Sequence, residues 1–181
     1  EKPDDAALLS RRGDCLLFLG RFAAAIADYE RMTALDPAQD APHWRLGIAY
    51  HFAERYDDSS RQFAKYHAYD ARDRENGLWK FLGDARWRGR ERARREMLAY
   101  PRFDREPFPA LYAMYASGTP TRDFFADLAA RKIDGDPRVM FFANYYAGLH
   151  EEVLGRREAA LALLRRAVAS EWGQTAENGP A

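Results

Sequence analysis

The stretch RRGDCLLFLGRFAAAIADYERMTALDP (residues 11–37) decides the fold, because its pattern returns 34 residues later in RLGIAYHFAERYDDSSRQFAKYHAYDA (residues 45–71). Five pairs of positions keep this register: Gly13 with Gly47, Leu16 with Tyr50, Phe22 with Tyr56, Ala25 with Ser59, and Tyr29 with Phe63. A repeat of this length predicts two antiparallel helices per unit, with a small residue on the first helix where the second crosses it closely.

The remainder of the chain follows the same plan less closely. Proline and glycine separate its periodic stretches, and no alternating strand pattern is present. Asp136 and Pro137 are typical of a helix start, so we expect them to cap the first helix of a final unit. We therefore predict one all-α domain over residues 1–181, with these parts: repeats 6–39, 40–73 and 74–101, a degenerate helix pair 107–133, a repeat 138–172, and a polar tail 173–181.

Composition restricts the classes of partner. The 28 basic and 28 acidic side chains give a net charge of zero, which disfavours nucleic acid or a charged membrane surface as the main partner. No apolar run reaches the roughly 18 residues that a membrane span needs, so we expect no direct membrane insertion. One cysteine, Cys15, cannot form an internal disulfide, and cysteine usage therefore leaves the compartment open.

The two strong repeats resemble the tetratricopeptide repeat. Trp44, Leu46 and Gly47 are similar to its W-x2-L-G spacing, with one residue fewer after the Trp. The order of units is similar to the bacterial new-lipoprotein-I type and to plant and algal relatives. This resemblance implies an α-α superhelix, a solenoid of antiparallel helix pairs.

For the lipoprotein type, the resemblance further implies an envelope protein that dimerises and brings a protease to a peptidoglycan hydrolase. Cys15 falls inside the first predicted helix, so no lipid-accepting cysteine lies near the start of this sequence. The periplasm or cell envelope is implied by the resemblance, and the cytoplasm is the alternative. A homodimer formed through an exposed terminal repeat is compatible with the pattern.

A groove lined by the first helices is the predicted binding site, since helix-pair arrays bind partners on their concave surface. The register predicts these exposed groove residues: Ser10, Asp14, Leu17, Trp44, Ile48, His51, Leu78 and Lys80. Modules that clamp a C-terminal carboxylate carry Lys and Asn at such positions, where this chain has Ser10, Asp14, Trp44 and Ile48. That ligand class is therefore rejected.

A dense run of arginines offers a different surface. In RWRGRERARRE the candidate docking residues for an acidic partner are Arg86, Arg88, Arg90 and Arg94. The alternative for this run is a solvated helix face, partly compensated by Glu91 and Glu96. Charge reversal separates the two sites, since groove binding should survive it.

Catalytic motifs for common enzymes are missing from the sequence, which lacks G-x-S-x-G, the phosphate-binding loop, G-x-G-x-x-G and H-E-x-x-H. His150 beside Glu151 and Glu152 suggests a metal cluster, but a solvated helix end explains it better because no second His follows at helical spacing. Asp134 and Asp136 are better explained by a turn and a helix cap. The sequence therefore predicts a non-catalytic scaffold for a protein or peptide, without cofactor or metal. The alternative is an accessory subunit that docks through the arginine run.

Overall fold

The computed structural model of the protein describes residues 5–102 and 104–174. This part of the chain contains eleven α-helices and one short 3-10 helix at Pro37–Gln39. The α-helices are α1 (Ala6–Phe18), α2 (Phe22–Leu35), α3 (Trp44–Phe52), α4 (Tyr56–Tyr69), α5 (Arg74–Arg88), α6 (Arg90–Arg95), α7 (Phe108–Ser117), α8 (Thr121–Ala130), α9 (Pro137–Val153), α10 (Arg157–Ala169) and α11 (Glu171–Gln174). The predicted all-helical class is confirmed.

Consecutive helices pack as neighbouring pairs, as the repeat predicts. Asp136 caps α9 by accepting hydrogen bonds from the backbone N–H groups of Arg138 and Val139, at 2.8 and 3.2 Å. Pro137 occupies the first position of α9, as expected. Of the predicted polar tail, Gly173 and Gln174 belong to α11, and residues 175–181 lie outside the described residues.

Glycine allows the two helices of each early pair to approach closely. A Cβ atom placed on Gly13 would lie 2.5 Å from Cε1 of Tyr29, and one placed on Gly47 would lie 2.7 Å from Cε2 of Phe63. Both rings are fully buried. The aligned Gly and aromatic positions are therefore the two sides of the same helix crossing in successive units.

The first helices of the pairs form one layer. α1 contacts α3, and α3 contacts α5, whereas α2 and α4 make no comparable contact in the described part of the chain. α5 is the centre of this layer, because it contacts α3, α4, α6, α7 and α9. Every residue from Asn76 to Ala85 is buried, as expected for a helix enclosed on all sides.

The second helix of the third unit is shorter than the sequence indicates. The sequence RERARREMLAY (residues 90–100) predicts the second helix of the repeat 74–101, but α6 ends at Arg95. Beyond it, the Leu98 carbonyl accepts a hydrogen bond from Tyr112 Oη at 2.8 Å, and the Tyr100 carbonyl accepts one from Arg74 at 2.8 Å. These side chains of α7 and α5 satisfy the backbone of the segment, so the chain does not need helical hydrogen bonds there.

Among the described helices, none combines the length and apolar character required to cross a bilayer.

Candidate functional site

One side of α1 and α3 carries a row of half-buried and exposed side chains. On α3 the row is apolar and its members are four residues apart: Trp44, Ile48 and Phe52. On α1 the register-equivalent positions are Ser10, Asp14 and Phe18. We call these six residues the α1–α3 face. Side chains at intervals of four lie on one side of a helix, so each row is continuous.

The predicted groove residues divide into two groups. Five of them are half-buried and accessible: Ser10, Asp14, Trp44, Ile48 and His51. The predicted exposure is wrong for the other three residues, because Leu17, Leu78 and Lys80 are buried. Leu78 is 0% exposed and Lys80 is 9% exposed.

Leu78 and Lys80 are buried because α5 occupies the centre of the molecule. α9 covers the side of α5 that the sequence predicts to line a groove: Tyr146 Oη donates to Glu75, and the Trp79 ring centroid lies 6.1 Å from that of Tyr146. Lys80 points to the other side, where its Nζ lies 2.5 Å from Asp84 Oδ2. The third unit therefore contributes no open surface at these positions.

Polar groups join α1 to α3 at the centre of the face. Asp14 Oδ1 accepts a hydrogen bond of 2.7 Å from Tyr29 Oη and lies 3.6 Å from Arg45 Nε. Burial raises the pKa of Tyr29 well above its ordinary value, and the hydrogen bond to Asp14 raises it further. The Arg45 guanidinium lies 4.3 Å from the centroid of the Trp44 ring, a cation–π contact. The tyrosine hydroxyl is thus held protonated as a donor.

His51 precedes Phe52 on α3 and is mainly an aromatic packing residue. Its ring centroid lies 5.3 Å from that of Trp79 and 5.4 Å from that of Tyr56. Burial, together with the positive charge of Arg86, lowers the pKa of His51 to about 4. His51 is therefore neutral at pH 7 and adds no cation to the surface.

The predicted basic surface is largely neutralised within the chain. Arg86 pairs with Glu152, and Arg88 lies 2.8 Å from both Asp84 and Glu96.

Arg94 is half-buried, donates to the Tyr115 carbonyl at 3.3 Å and pairs with Glu91 at 2.9 Å. Arg94 is therefore not an open docking residue, unlike the exposed Arg90. Arg90 and Arg95 are exposed, and neither forms an ion pair with a described residue.

His150 does not lie at a solvated helix end, contrary to the sequence interpretation. It is 1% exposed, and its ring lies 4.6 Å from Tyr115 and 6.5 Å from Phe81 between ring centroids. Neither ring nitrogen has a hydrogen-bond partner among the described residues. Glu151 is also buried, and it accepts from Thr121 and Arg156. Within the described ranges, no group of three or more His, Cys, Asp or Glu side chains is placed to hold a metal ion.

Two members of the face were missed by the sequence interpretation. Phe18 is 49% exposed and Phe52 is 42% exposed, at the C-terminal ends of α1 and α3. The same 34-residue register relates them, so the signal was present in the repeat itself. Phe52 also stacks on Phe22 with 5.3 Å between ring centroids, which holds its ring in place while one side stays accessible.

Comparisons with known proteins add no family to this geometry. No protein-family model matches the chain, and no curated protein matches it significantly. The resemblance to tetratricopeptide repeats therefore stays a prediction that rests on the residues quoted above.

Proposed function

We propose that the chain is a tetratricopeptide-like α-solenoid that acts as a non-catalytic scaffold, binding a protein or peptide on the α1–α3 face. The packing of helices supports this fold: first helices contact each other more closely than second helices do, so the array bends with α1 and α3 on its inner side. A curved inner surface is the usual binding surface of such arrays.

The observation that carries the proposal is the apolar row on α3. Trp44, Ile48 and Phe52 lie in line, and no described helix covers them as α9 covers the equivalent side of α5. Contiguous exposed apolar surface on a soluble domain marks an interaction site, and aromatic residues often anchor such sites. Trp44 and Ile48 also pack partly against the core, which gives the row a rigid base.

The basic surface is the weaker candidate. Most of its arginines already have carboxylate partners within the chain, so an acidic partner would have to compete for them. Only Arg90 and Arg95 offer exposed guanidinium groups without a described ion pair in this run. They are the residues to reverse in a test of this alternative.

The test is capture of partners from a lysate of the protein's own source, with the intact chain immobilised. Phe52→Glu should abolish capture of a specific partner, while Leu161→Glu, a matched change at an exposed leucine of α10, should leave it intact. Phe52 is the more exposed of the two aromatic residues in the row. A thermal melt of Phe52→Glu separates loss of binding from loss of the ring contacts with Phe22 and Trp79. A partner that survives Phe52→Glu but is lost with Arg90→Glu/Arg95→Glu would move the function to the basic surface.

A further inference from the structure

The chain contains its own example of how the inner layer receives an additional helix. α9 runs parallel to α5: Glu75 near the start of α5 accepts a hydrogen bond from Tyr146, and Arg86 near its end pairs with Glu152. Between these contacts, Trp79 packs against Tyr146. The side of α5 that faces the inside of the array is therefore covered by another helix of the same chain.

The repeat register transfers these positions to α3. Subtracting the 34-residue repeat from each α5 position gives its counterpart in the second unit. The pairs are Glu75 with Ala41, Leu78 with Trp44, Trp79 with Arg45, Leu82 with Ile48, and Arg86 with Phe52. Leu78 and Leu82 are buried, whereas Trp44 and Ile48 are half-buried and Phe52 is exposed. The positions that are enclosed as Leu78 and Leu82 on α5 are thus partly accessible as Trp44 and Ile48 on α3, where no described helix takes the place of α9. The end position is exposed on both helices, as Arg86 and as Phe52.

The partner class follows from this correspondence. We infer that the α1–α3 face binds an amphipathic α-helix of a partner protein, seated on α3 as α9 is seated on α5. This inference rests on the proposed scaffold function and specifies its ligand.

The dimensions of the row fit a helix. From Trp44 to Phe52 it spans eight residues, about 12 Å at the rise of an α-helix, which equals about two turns of a partner helix. Apolar side chains at i, i+3 or i+4, and i+7 on the partner would meet the row along its whole length, the usual mode of helix recognition by a groove. The Phe18 side chain at the end of α1 extends the same apolar surface toward the neighbouring helix.

The probe is a fluorescein-labelled peptide with the α9 sequence PRVMFFANYYAGLHEEV (residues 137–153), capped at both ends. A second peptide carries Ala147→Pro, which prevents a continuous helix while leaving the other side chains unchanged. Fluorescence anisotropy with the intact protein measures both affinities. We expect the helical peptide to bind at least tenfold more tightly than the proline peptide.

Protein variants locate the binding. Ile48→Glu and Phe52→Glu should each weaken binding of the helical peptide at least tenfold, while Leu161→Glu should leave it unchanged. Thermal melts of all three variants separate loss of binding from loss of folding, and of the two α3 residues Phe52 is the more exposed. Binding that is unaffected by both α3 changes would overturn the inference, because the peptide would then bind elsewhere or displace α9.

The outcome also separates this inference from the proposed function. Equal binding of the proline peptide, lost with Phe52→Glu, would overturn the helical partner and retain a face that binds extended chains. Failure of both peptides while Phe52-dependent capture from lysate persists would likewise overturn only the helical partner. Failure of the peptides together with Phe52-independent capture would refute the binding face itself.

Discussion

Acid should destabilise the protein through His150, and replacing this residue should remove that effect. The His150 side chain is enclosed between aromatic rings, with both ring nitrogens unpaired. Burial lowers its pKa from the ordinary value of 6.5 to about 4. The charges around it are those of Glu151, which raises the pKa, and of Arg94, Arg156 and Arg90, which lower it.

The sign of the effect follows from proton binding. At pH 7 the imidazole is neutral in both folded and unfolded chains, so the pKa difference costs nothing. Below about pH 6.5, His150 is protonated in the unfolded chain but stays neutral in the folded protein down to about pH 4. The free energy of unfolding therefore falls as the pH falls through this window. Between about pH 7.5 and about pH 5 the loss from His150 alone is about 2 kcal/mol.

His150→Leu should remove this acid dependence. It should also raise the free energy of unfolding at neutral pH by about 1 kcal/mol, since it replaces an unpaired buried polar ring by an apolar side chain. His150→Gln is the matched control, because it removes the titration but keeps a buried polar group. Urea unfolding followed by circular dichroism at several pH values gives the free energies. The difference between wild type and His150→Leu must grow by about 2 kcal/mol on acidification. A constant difference would refute the reasoning.

The remaining predictions concern packing and buried polar groups, and each is measured by urea unfolding. Gly47→Leu should lower the free energy of unfolding by about 1 to 3 kcal/mol, as overpacking does, because a Cβ atom at this position would already lie 2.7 Å from Phe63. Gly135→Ala is the control and should be nearly neutral, since no atom lies near its Cβ. Equal effects of the two changes would contradict the crossing geometry. Asp84→Asn should lower the free energy of unfolding by about 3 to 5 kcal/mol, because it leaves the buried Lys80 without its charge partner. Burial raises the pKa of Asp84, but hydrogen bonds from Lys80, Arg88 and Ser60 lower it on balance, so the carboxylate is charged. An unchanged free energy of unfolding would mean that Lys80 reaches solvent. Tyr146→Phe should cost about 1.5 to 3 kcal/mol, since it removes the hydrogen bond that joins α9 to the Glu75 carboxylate. The exposed Tyr69→Phe is its control, and a loss equal to that of the control would show that this bond does not hold α9.

The helix pairs of the first two units could be predicted because their crossings are local. Gly13 and Tyr29 belong to neighbouring helices, so one repeat contains both sides of the contact and the spacing records it. The helix caps are equally local, as at Asp136. These features depend on residues close together in the chain, and the pattern therefore specifies them.

The covering of α5 by α9 could not be predicted in the same way. Its contacts join residues such as Glu75 and Tyr146, far apart in sequence and in units that are not consecutive. No repeat period records such a contact, and a helix buried on all sides has no distinctive polar face to signal it. The errors at Leu78 and Lys80 follow directly, because the register predicts the side of a helix but not what lies against it. His150 was misjudged for the same reason: the rings that enclose it come from α5 and α7.

The position of α5 affects how the chain can come apart. In a linear repeat array each unit contacts only its neighbours, so ends can unravel while the middle persists. Here α5 draws its apolar surroundings from helices on both sides of it in sequence, and α9 reaches back across an intervening pair. Loss of either end exposes to water the helix with the longest continuous buried stretch in the described part of the chain, Asn76 to Ala85. The chain should therefore unfold as one cooperative unit. Cleavage of the chain before or after α5 should leave fragments that do not fold on their own.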